Sequence, residues 1–118
     1  MTDHNFTFQR LDAYRVAKEA LAISIERRDC WRRLPGEIGP QLERAMASVV
    51  LNIAEGAGRW SAADQRRHYQ IACGSANEVA ACLDLAAMYG NLPQDVQDEL
   101  ASRLVRVVQM LKAMIRRR

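Results

Sequence analysis

Apolar residues recur at alternating steps of three and four positions along most of this chain, and that spacing restricts its fold more than any other feature. The clearest series consists of Tyr69, Ala72, Ala76, Val79, Leu83 and Ala86. Such steps place every member on one face of an α-helix. No segment shows the two-residue alternation of a strand. The pattern therefore predicts an all-α protein.

Three further segments carry apolar series of the same kind. They are Leu11, Tyr14, Ala17, Leu21 and Ile25; then Leu42, Met46, Val49 and Ile53; and finally Val96, Leu100, Leu104, Val107, Leu111 and Met114. Turn-forming residues between the segments predict helices over about 10–31, 40–56, 61–89 and 93–116. Because short connections join antiparallel neighbours, the economical architecture for 118 residues is a single domain, an up-down-up-down antiparallel four-helix bundle.

Individual residues mark the ends of these helices. Gly56 is predicted to end the second helix in the left-handed conformation, which glycine adopts without steric cost. Ser61, with Asp64 three residues later, is close to a capping box at the start of the third helix. Gly90 and Asn91 are predicted to close that helix.

A second apolar row accompanies the main series on several helices. Its members are Val16, Ala20, Ile23, Ile71, Leu85, Met88, Val105 and Val108. A four-helix core needs one stripe per helix, so extra rows predict another buried surface. Assembly into a homo-oligomer is the favoured interpretation, and an unusually wide core stripe is the alternative.

A glycine-rich stretch, NIAEGAGRWS, joins the second and third predicted helices. A Walker-type phosphate loop would need a preceding strand and a lysine, and the stretch has neither. Its spacing and context also differ from a dinucleotide-binding fingerprint, and it lacks a nucleophile beside a base. The stretch is therefore interpreted as a corner between two helices, and no small-molecule substrate is indicated.

Polar residues lie beside the apolar faces of the second and third helices: Ser48, Asn52, Glu55, Ser75 and Glu78. We expect them to form a structural hydrogen-bond network, with Gly74 permitting close approach of the helices. The alternative is a carboxylate metal or acid–base site at Glu55 and Glu78. Di-iron bundles use Glu-x-x-His pairs, and neither His4 nor His68 has that spacing. No metal, cofactor or enzymatic activity is therefore predicted.

Cysteine usage and the N-terminus indicate a cytoplasmic protein. Cys30, Cys73 and Cys82 are odd in number and form no C-x-x-C motif, which favours reduced, buried thiols. The stretch Met1–His4 does not resemble the start of a signal peptide. No apolar run approaches the roughly 20 residues that span a bilayer, so no membrane partner is expected.

Arginine dominates the positive charge of this chain, with fifteen arginines against two lysines and a net charge of +3. Guanidinium groups bind phosphates and stack on bases, although a GC-rich genome would produce the same excess. In an up-down-up-down bundle, one end collects Arg10, Arg15, Arg59, Arg66, Arg67, Arg116, Arg117 and Arg118, and we call this set the arginine pole. Nearby carboxylates, Asp3, Asp12, Glu55 and Asp64, offset it only partly.

The opposite end is expected to be nearly neutral. Its arginines are Arg27, Arg28, Arg32, Arg33 and Arg44, and its acidic residues are Asp29, Glu37, Glu43, Asp84, Asp95, Asp98 and Glu99. Trp60 lies beside Arg59 at the arginine pole, where an exposed indole would stack on an unpaired base. Packing of Trp60 onto the helix ends is the favoured alternative.

Three stretches of the chain carry a family resemblance: AYRVAKEA, QLERAMASVVLNIAEGAGRWS and YQIACGSANEVAACLDLA. They resemble the signature blocks of the four-helix-bundle proteins of the ribosomal-RNA intervening-sequence family. The accessory protein of diversity-generating retroelements is similar in fold, forms a pentameric ring and binds nucleic acid with a basic surface. The resemblance implies a cytosolic bundle, a homopentameric ring, a possible RNA or DNA partner and no established enzymatic activity.

The sequence thus supports three hypotheses about function. The first is a non-enzymatic homo-oligomer that binds RNA or DNA through the arginine pole together with Trp60. The second is a protein-interaction scaffold without nucleic-acid binding, which would use the second apolar rows. The third, least favoured, is a metal or enzyme site at Glu55 and Glu78.

Overall fold

Four long helices pack together in the computed structural model, which describes residues 6–90 and 92–117 and contains no strand within them. A 3₁₀ turn, Thr7–Arg10, precedes α1 (Asp12–Glu26), α2 (Asp29–Arg32), α3 (Ile38–Ala57), α4 (Ala62–Met88) and α5 (Gln94–Arg116). The long helices contact one another in the pairs α3–α4, α1–α5, α1–α3 and α4–α5. The expectations for Met1–His4, Asn91 and Arg118 concern residues outside the described part.

The main apolar series of the last three long helices form the core, as predicted. On α3, Leu42, Met46, Val49 and Ile53 are fully buried, and the whole series from Tyr69 to Ala86 is buried on α4. On α5 the buried series ends at Leu111, and Met114 is partly buried against the core. Ser61 caps α4, because its Oγ accepts a hydrogen bond of 3.1 Å from the Asp64 amide.

The first predicted helix is wrong in two respects. It ends at Glu26, and α2 follows after a turn. This bend accompanies the complete burial of the Trp31 side chain. Its buried face also differs: Val16 and Ala20, assigned to the second row, lie in the core, whereas Ile25 is 49% exposed. Ala13 and Ala17 complete the buried apolar face of α1.

Two glycines have roles opposite to those predicted. Gly56 lies inside α3 and is buried; α3 continues to Ala57, and its C-cap Gly58 has an ordinary φ of −89°. A Cβ on Gly56 would lie 2.7 Å from the Tyr69 ring, so this glycine permits the close approach of α3 and α4. Gly74, expected to serve that purpose, has nothing within 4 Å of a built Cβ. Gly90, at the predicted end of α4, does have a positive φ of 78°.

Contrary to the sequence-based expectation, one described helix, Ala62–Met88, is long and apolar enough by length and composition to span a membrane. Its apolar series packs against the other helices. A core helix in a bundle meets the same two criteria, so the finding is weak evidence for a span.

Candidate nucleic-acid interface

The start of α1 and the end of α5 meet at one end of the bundle. They border a groove of about 560 Å³ whose lining includes Leu11, Met110 and Met114, with Arg10 and Arg117 among its polar residues. Arg103, farther back along α5, reaches Glu19 on α1 with an Nε–Oε1 distance of 3.3 Å. The two contacts show that α1 and α5 run in opposite directions. They bring together two guanidinium groups far apart in sequence.

The corner between α3 and α4 lies at the same end. Arg28, just after α1, is 3.3 Å from Glu43 near the start of α3, so the end of α3 lies beside the start of α1. The 3₁₀ turn before α1 also contacts α3. Residues from Arg59 to Arg67 therefore join Arg10 and Arg117. The contacts between elements are consistent with the predicted arginine pole, and the groove itself brings together Arg10 and Arg117.

Members of the arginine pole differ in how they are paired. Arg15 pairs with Asp12, and Arg59 Nη2 lies 2.5 Å from Glu55 Oε2; both pairs are exposed and lie within one helix or its end. Such exposed pairs contribute about 0–1 kcal/mol, so they leave the guanidinium groups available at little cost. Arg66 is half-buried and engaged within the protein.

Four arginines of the arginine pole are exposed and form no ion pair with any residue of the described part: Arg10, Arg67, Arg116 and Arg117. Arg116 and Arg117 follow one another at the end of α5, where positive charge also interacts favourably with the helix dipole. Four unpaired guanidinium groups at one end can bind an anionic surface.

Trp60 is fully exposed, with a relative accessible area of 102%. The favoured alternative, packing onto the helix ends, is therefore wrong. The backbone on both sides of the residue is fixed: Gln65 Nε2 donates to the Arg59 carbonyl at 2.9 Å, and Ser61 caps α4. The indole consequently projects from a rigid corner into solvent.

A hydrogen-bond network does connect α3 and α4, but its membership differs from the prediction. The Ser48 and Ser75 hydroxyls are 2.8 Å apart, and Asn52 Nδ2 donates to the Ser48 carbonyl and hydroxyl at 3.0 and 3.1 Å. Because the amide nitrogen is thereby a donor, Asn52 Oδ1 accepts from His68 Nδ1 at 3.0 Å. Sequence reasoning missed His68, although it lies one turn from the core residue Ala72.

Glu55 and Glu78 lie outside this network. Glu55 is exposed and pairs with Arg59, and Glu78 is also exposed. In the antiparallel register set by Ser48 and Ser75, the two carboxylates are separated by roughly 15 Å along the helices at 1.5 Å per residue. They do not converge on one site. Across residues 6–90 and 92–117, no three His, Cys, Asp or Glu side chains group as metal ligands would.

The three cysteines are unpaired, and burial is the main cause of their raised pKa values. Asp29 further raises the pKa of Cys30, whereas Lys112 lowers that of Cys73. Thiols with raised pKa values stay protonated at neutral pH and are weak nucleophiles. The cysteines therefore offer no activated nucleophile.

Comparison with solved structures places this fold beside a crystal structure from Bacteroides thetaiotaomicron VPI-5482, described as a protein of unknown function from the S23 ribosomal protein family. The two chains share 18% identity with a TM-score of 0.80, over 87% of this chain and 97% of the other. The likeness at that identity concerns the fold. Comparison with curated proteins gives no match. Residues 11–113 match the profile described as 23S rRNA-intervening sequence protein, and the chain belongs to that family.

Proposed function

We propose that this protein is a non-enzymatic, cytoplasmic homo-oligomer that binds RNA or DNA through its arginine pole. The observation that carries the proposal is the exposed, unpaired set Arg10, Arg67, Arg116 and Arg117 at one end of the bundle. The family description, which refers to 23S rRNA, favours the same class of partner. We also propose that the four long helices form an up-down-up-down bundle, in which helix ends far apart in sequence share one surface.

The charge distribution supports a polyanion rather than a small anion. The four unpaired arginines come from the beginning of the chain, from α4 and from the end of α5, so they spread across the end of the bundle. Phosphates repeat along a nucleic-acid backbone, and each neutralised phosphate releases a counterion. Cations that are spread over a surface therefore bind most tightly to a ligand with repeated negative charges.

Exposed apolar side chains support self-assembly. Met88 is 81% exposed, and Ile71, Leu85 and Val105 are also exposed. A groove of about 310 Å³ between α4 and α5 is lined by Ala76, Ala80, Leu104, Val105 and Val108 with polar neighbours. We propose that a second copy of the chain covers the face of α4 and α5 that carries this groove. By the family resemblance, we also propose that the ring has five subunits. If the bundle axes in such a ring are parallel, the arginine poles share one rim and their fields add.

Binding measured over a range of salt concentrations tests the proposal. The variant Arg67→Ala/Arg117→Ala removes two unpaired charges from the arginine pole. The control Arg32→Ala/Arg33→Ala removes two exposed charges from the opposite end. We expect the first variant to lower affinity for a fluorescent RNA or DNA oligonucleotide about tenfold at low salt and to reduce the salt slope by about 1–2.

The control variant should bind like the unmodified protein, because net charge changes equally in both variants. Equal affinity of the two variants, or no binding of RNA or DNA at low salt, would show that the arginine pole is not a nucleic-acid surface. Light scattering on the same samples tests the ring, and a strictly monomeric mass contradicts it.

A protein-interaction scaffold is the second candidate function, and the exposed Met88, Leu85 and Val105 side chains favour it. In that case, affinity purification from native cytosol would recover a stoichiometric protein partner without nucleic acid. Nuclease treatment before purification separates the two candidates, because only a nucleic-acid-mediated association is lost.

A further inference from the structure

We infer that Trp60 is a base-stacking platform and that the arginine pole therefore selects single-stranded over double-stranded nucleic acid. This inference rests on the proposed function, since it names the form of nucleic acid that the arginine pole takes. It concerns a side chain to which the fold assigns no packing role.

The exposure of Trp60 is the first observation. Of the two tryptophans in the chain, Trp31 is fully buried and Trp60 is fully exposed. An indole offers a large apolar area for burial, yet Trp60 contributes none of it to this core. Its flat faces are therefore open to a partner.

The rigidity of the corner is the second observation. Gly58 donates to the Ala54 and Glu55 carbonyls, and Arg59 donates to the Gly56 carbonyl at 3.2 Å. Gln65 holds the Arg59 carbonyl from the other side. These hydrogen bonds hold the backbone before Trp60, and the Ser61 cap holds the backbone after it, so stacking costs less conformational entropy than it would in an unrestrained loop.

The charged surroundings of Trp60 identify the partner. Arg59 precedes it, Arg67 lies within two turns of α4, and both side chains are exposed. Alternation of an aromatic face with guanidinium groups matches the bases and phosphates of a single strand, in which base faces are accessible. In a duplex the base faces are covered by their neighbours. The corner therefore fits an unpaired base flanked by phosphates.

Charge alone predicts the opposite preference. A duplex has the higher density of phosphate charge and a larger counterion release per contact, so arginines without an aromatic platform would favour duplex. A preference for single strand at matched length and salt would consequently report stacking rather than electrostatics.

Tryptophan fluorescence tests the inference directly. Iodide quenches only solvent-exposed indoles, so Trp60 is separable from the buried Trp31 in the unmodified protein. Titration with a 12-nucleotide single strand, RNA or DNA, and with a blunt duplex of the same length gives both affinities. The variants are Trp60→Ala, the aromatic replacement Trp60→Phe, and the control Leu51→Ala, which truncates another exposed apolar side chain on α3.

We expect the single strand to bind about tenfold more tightly than the duplex, to quench the Trp60 emission and to protect it from iodide. Trp60→Ala should lose about tenfold in affinity for the single strand and almost none for the duplex, with an unchanged salt slope. Trp60→Phe should retain most of the affinity, and Leu51→Ala should behave as the unmodified protein.

Several results would overturn the inference while leaving the proposed function intact. They are equal binding of single strand and duplex, bound single strand without any change in Trp60 emission, and an unaltered affinity of Trp60→Ala. Protection of Trp60 from iodide in the free protein would assign the indole to a subunit interface and also overturn it. Failure of both the single strand and the duplex to bind at low salt removes the proposed function and this inference together.

Discussion

The two ends of the bundle use the same residue types in opposite ways. At the end opposite the arginine pole, Arg28 reaches from the turn after α1 to Glu43 on α3, so its charge links separate elements. At the arginine pole, Arg59 pairs with Glu55 one turn away, and with no other carboxylate among residues 6–90 and 92–117. The tryptophans differ likewise: Trp31 is buried at the first end, and Trp60 is exposed at the second. The Arg28–Glu43 pair and the buried Trp31 thus contribute to stability at the first end, where Arg32 and Arg33 are nevertheless exposed. The difference between the ends therefore lies in the tryptophan and in the pair between elements, and Trp60 is the side chain that the second end leaves open to a partner.

The two tryptophans provide the largest expected contrast. Trp31→Ala should destabilise the fold by about 3–5 kcal/mol, because it leaves a large cavity in the core. Trp60→Ala should change the free energy of unfolding by less than about 0.5 kcal/mol, as surface substitutions do. Denaturant unfolding followed by circular dichroism measures both. A similar loss for the two variants would mean that Trp60 is buried in the assembled protein.

The control for this contrast is Trp31→Phe. The Trp31 indole nitrogen is buried without a hydrogen-bond partner among the described residues. Phenylalanine removes that unsatisfied donor while retaining much of the ring, so it should cost clearly less than alanine. A cost as large as that of Trp31→Ala would contradict the packing role assigned to the ring.

Glycines at the two ends of α3 give the next contrast. A Cβ on Gly39 would lie 2.4 Å from the Trp31 carbonyl oxygen, and one on Gly56 would lie 2.7 Å from the Tyr69 ring. Backbone yields less readily than a side chain, so Gly39→Ala should cost about 3 kcal/mol and Gly56→Ala about 2 kcal/mol. Gly74→Ala is the control, and it should stabilise by roughly 0.5–1 kcal/mol through helix propensity. The same denaturant measurement checks the order, and a stabilising Gly56→Ala would refute the close approach.

The sequence correctly predicted the helices whose boundaries depend little on packing against other helices. The three- and four-residue steps of α4 and α5 are long and uninterrupted, so the buried face followed from periodicity alone. The break after Glu26 could not be predicted in this way. It depends on where the Trp31 side chain packs in the core and on how closely the Trp31 backbone approaches Gly39. Local pattern contains neither distance.

In the candidate site, too, the features that depend on helix connections could be predicted from the sequence, and those that depend on packing could not. The prediction that Arg10, Arg67 and Arg117 lie at one end came from short connections between helices, which the sequence does display. His68 was missed, and Glu55 was wrongly included in the network, because the sequence does not specify the register of α3 against α4. A shift of one turn between two antiparallel helices changes which side chains meet. Exposure of Trp60 depends on the exact ending of α3 and the capping of α4, which no single-residue preference determines.

The smallest expected effect distinguishes Glu43, whose arginine partner belongs to another element, from Glu55, whose partner lies four residues later. Glu43→Gln and Glu55→Gln each remove one negative charge from an exposed ion pair. Glu43→Gln should lower stability by about 0.5 kcal/mol, because its partner belongs to another element, and should leave nucleic-acid affinity nearly unchanged. Glu55→Gln should leave stability almost unchanged but raise affinity about two- to threefold at low salt, since it frees Arg59 beside Trp60. Titration at two salt concentrations checks this, because the gain must shrink as salt rises. An equal gain from both variants would mean that net charge, rather than the arginine pole, governs binding.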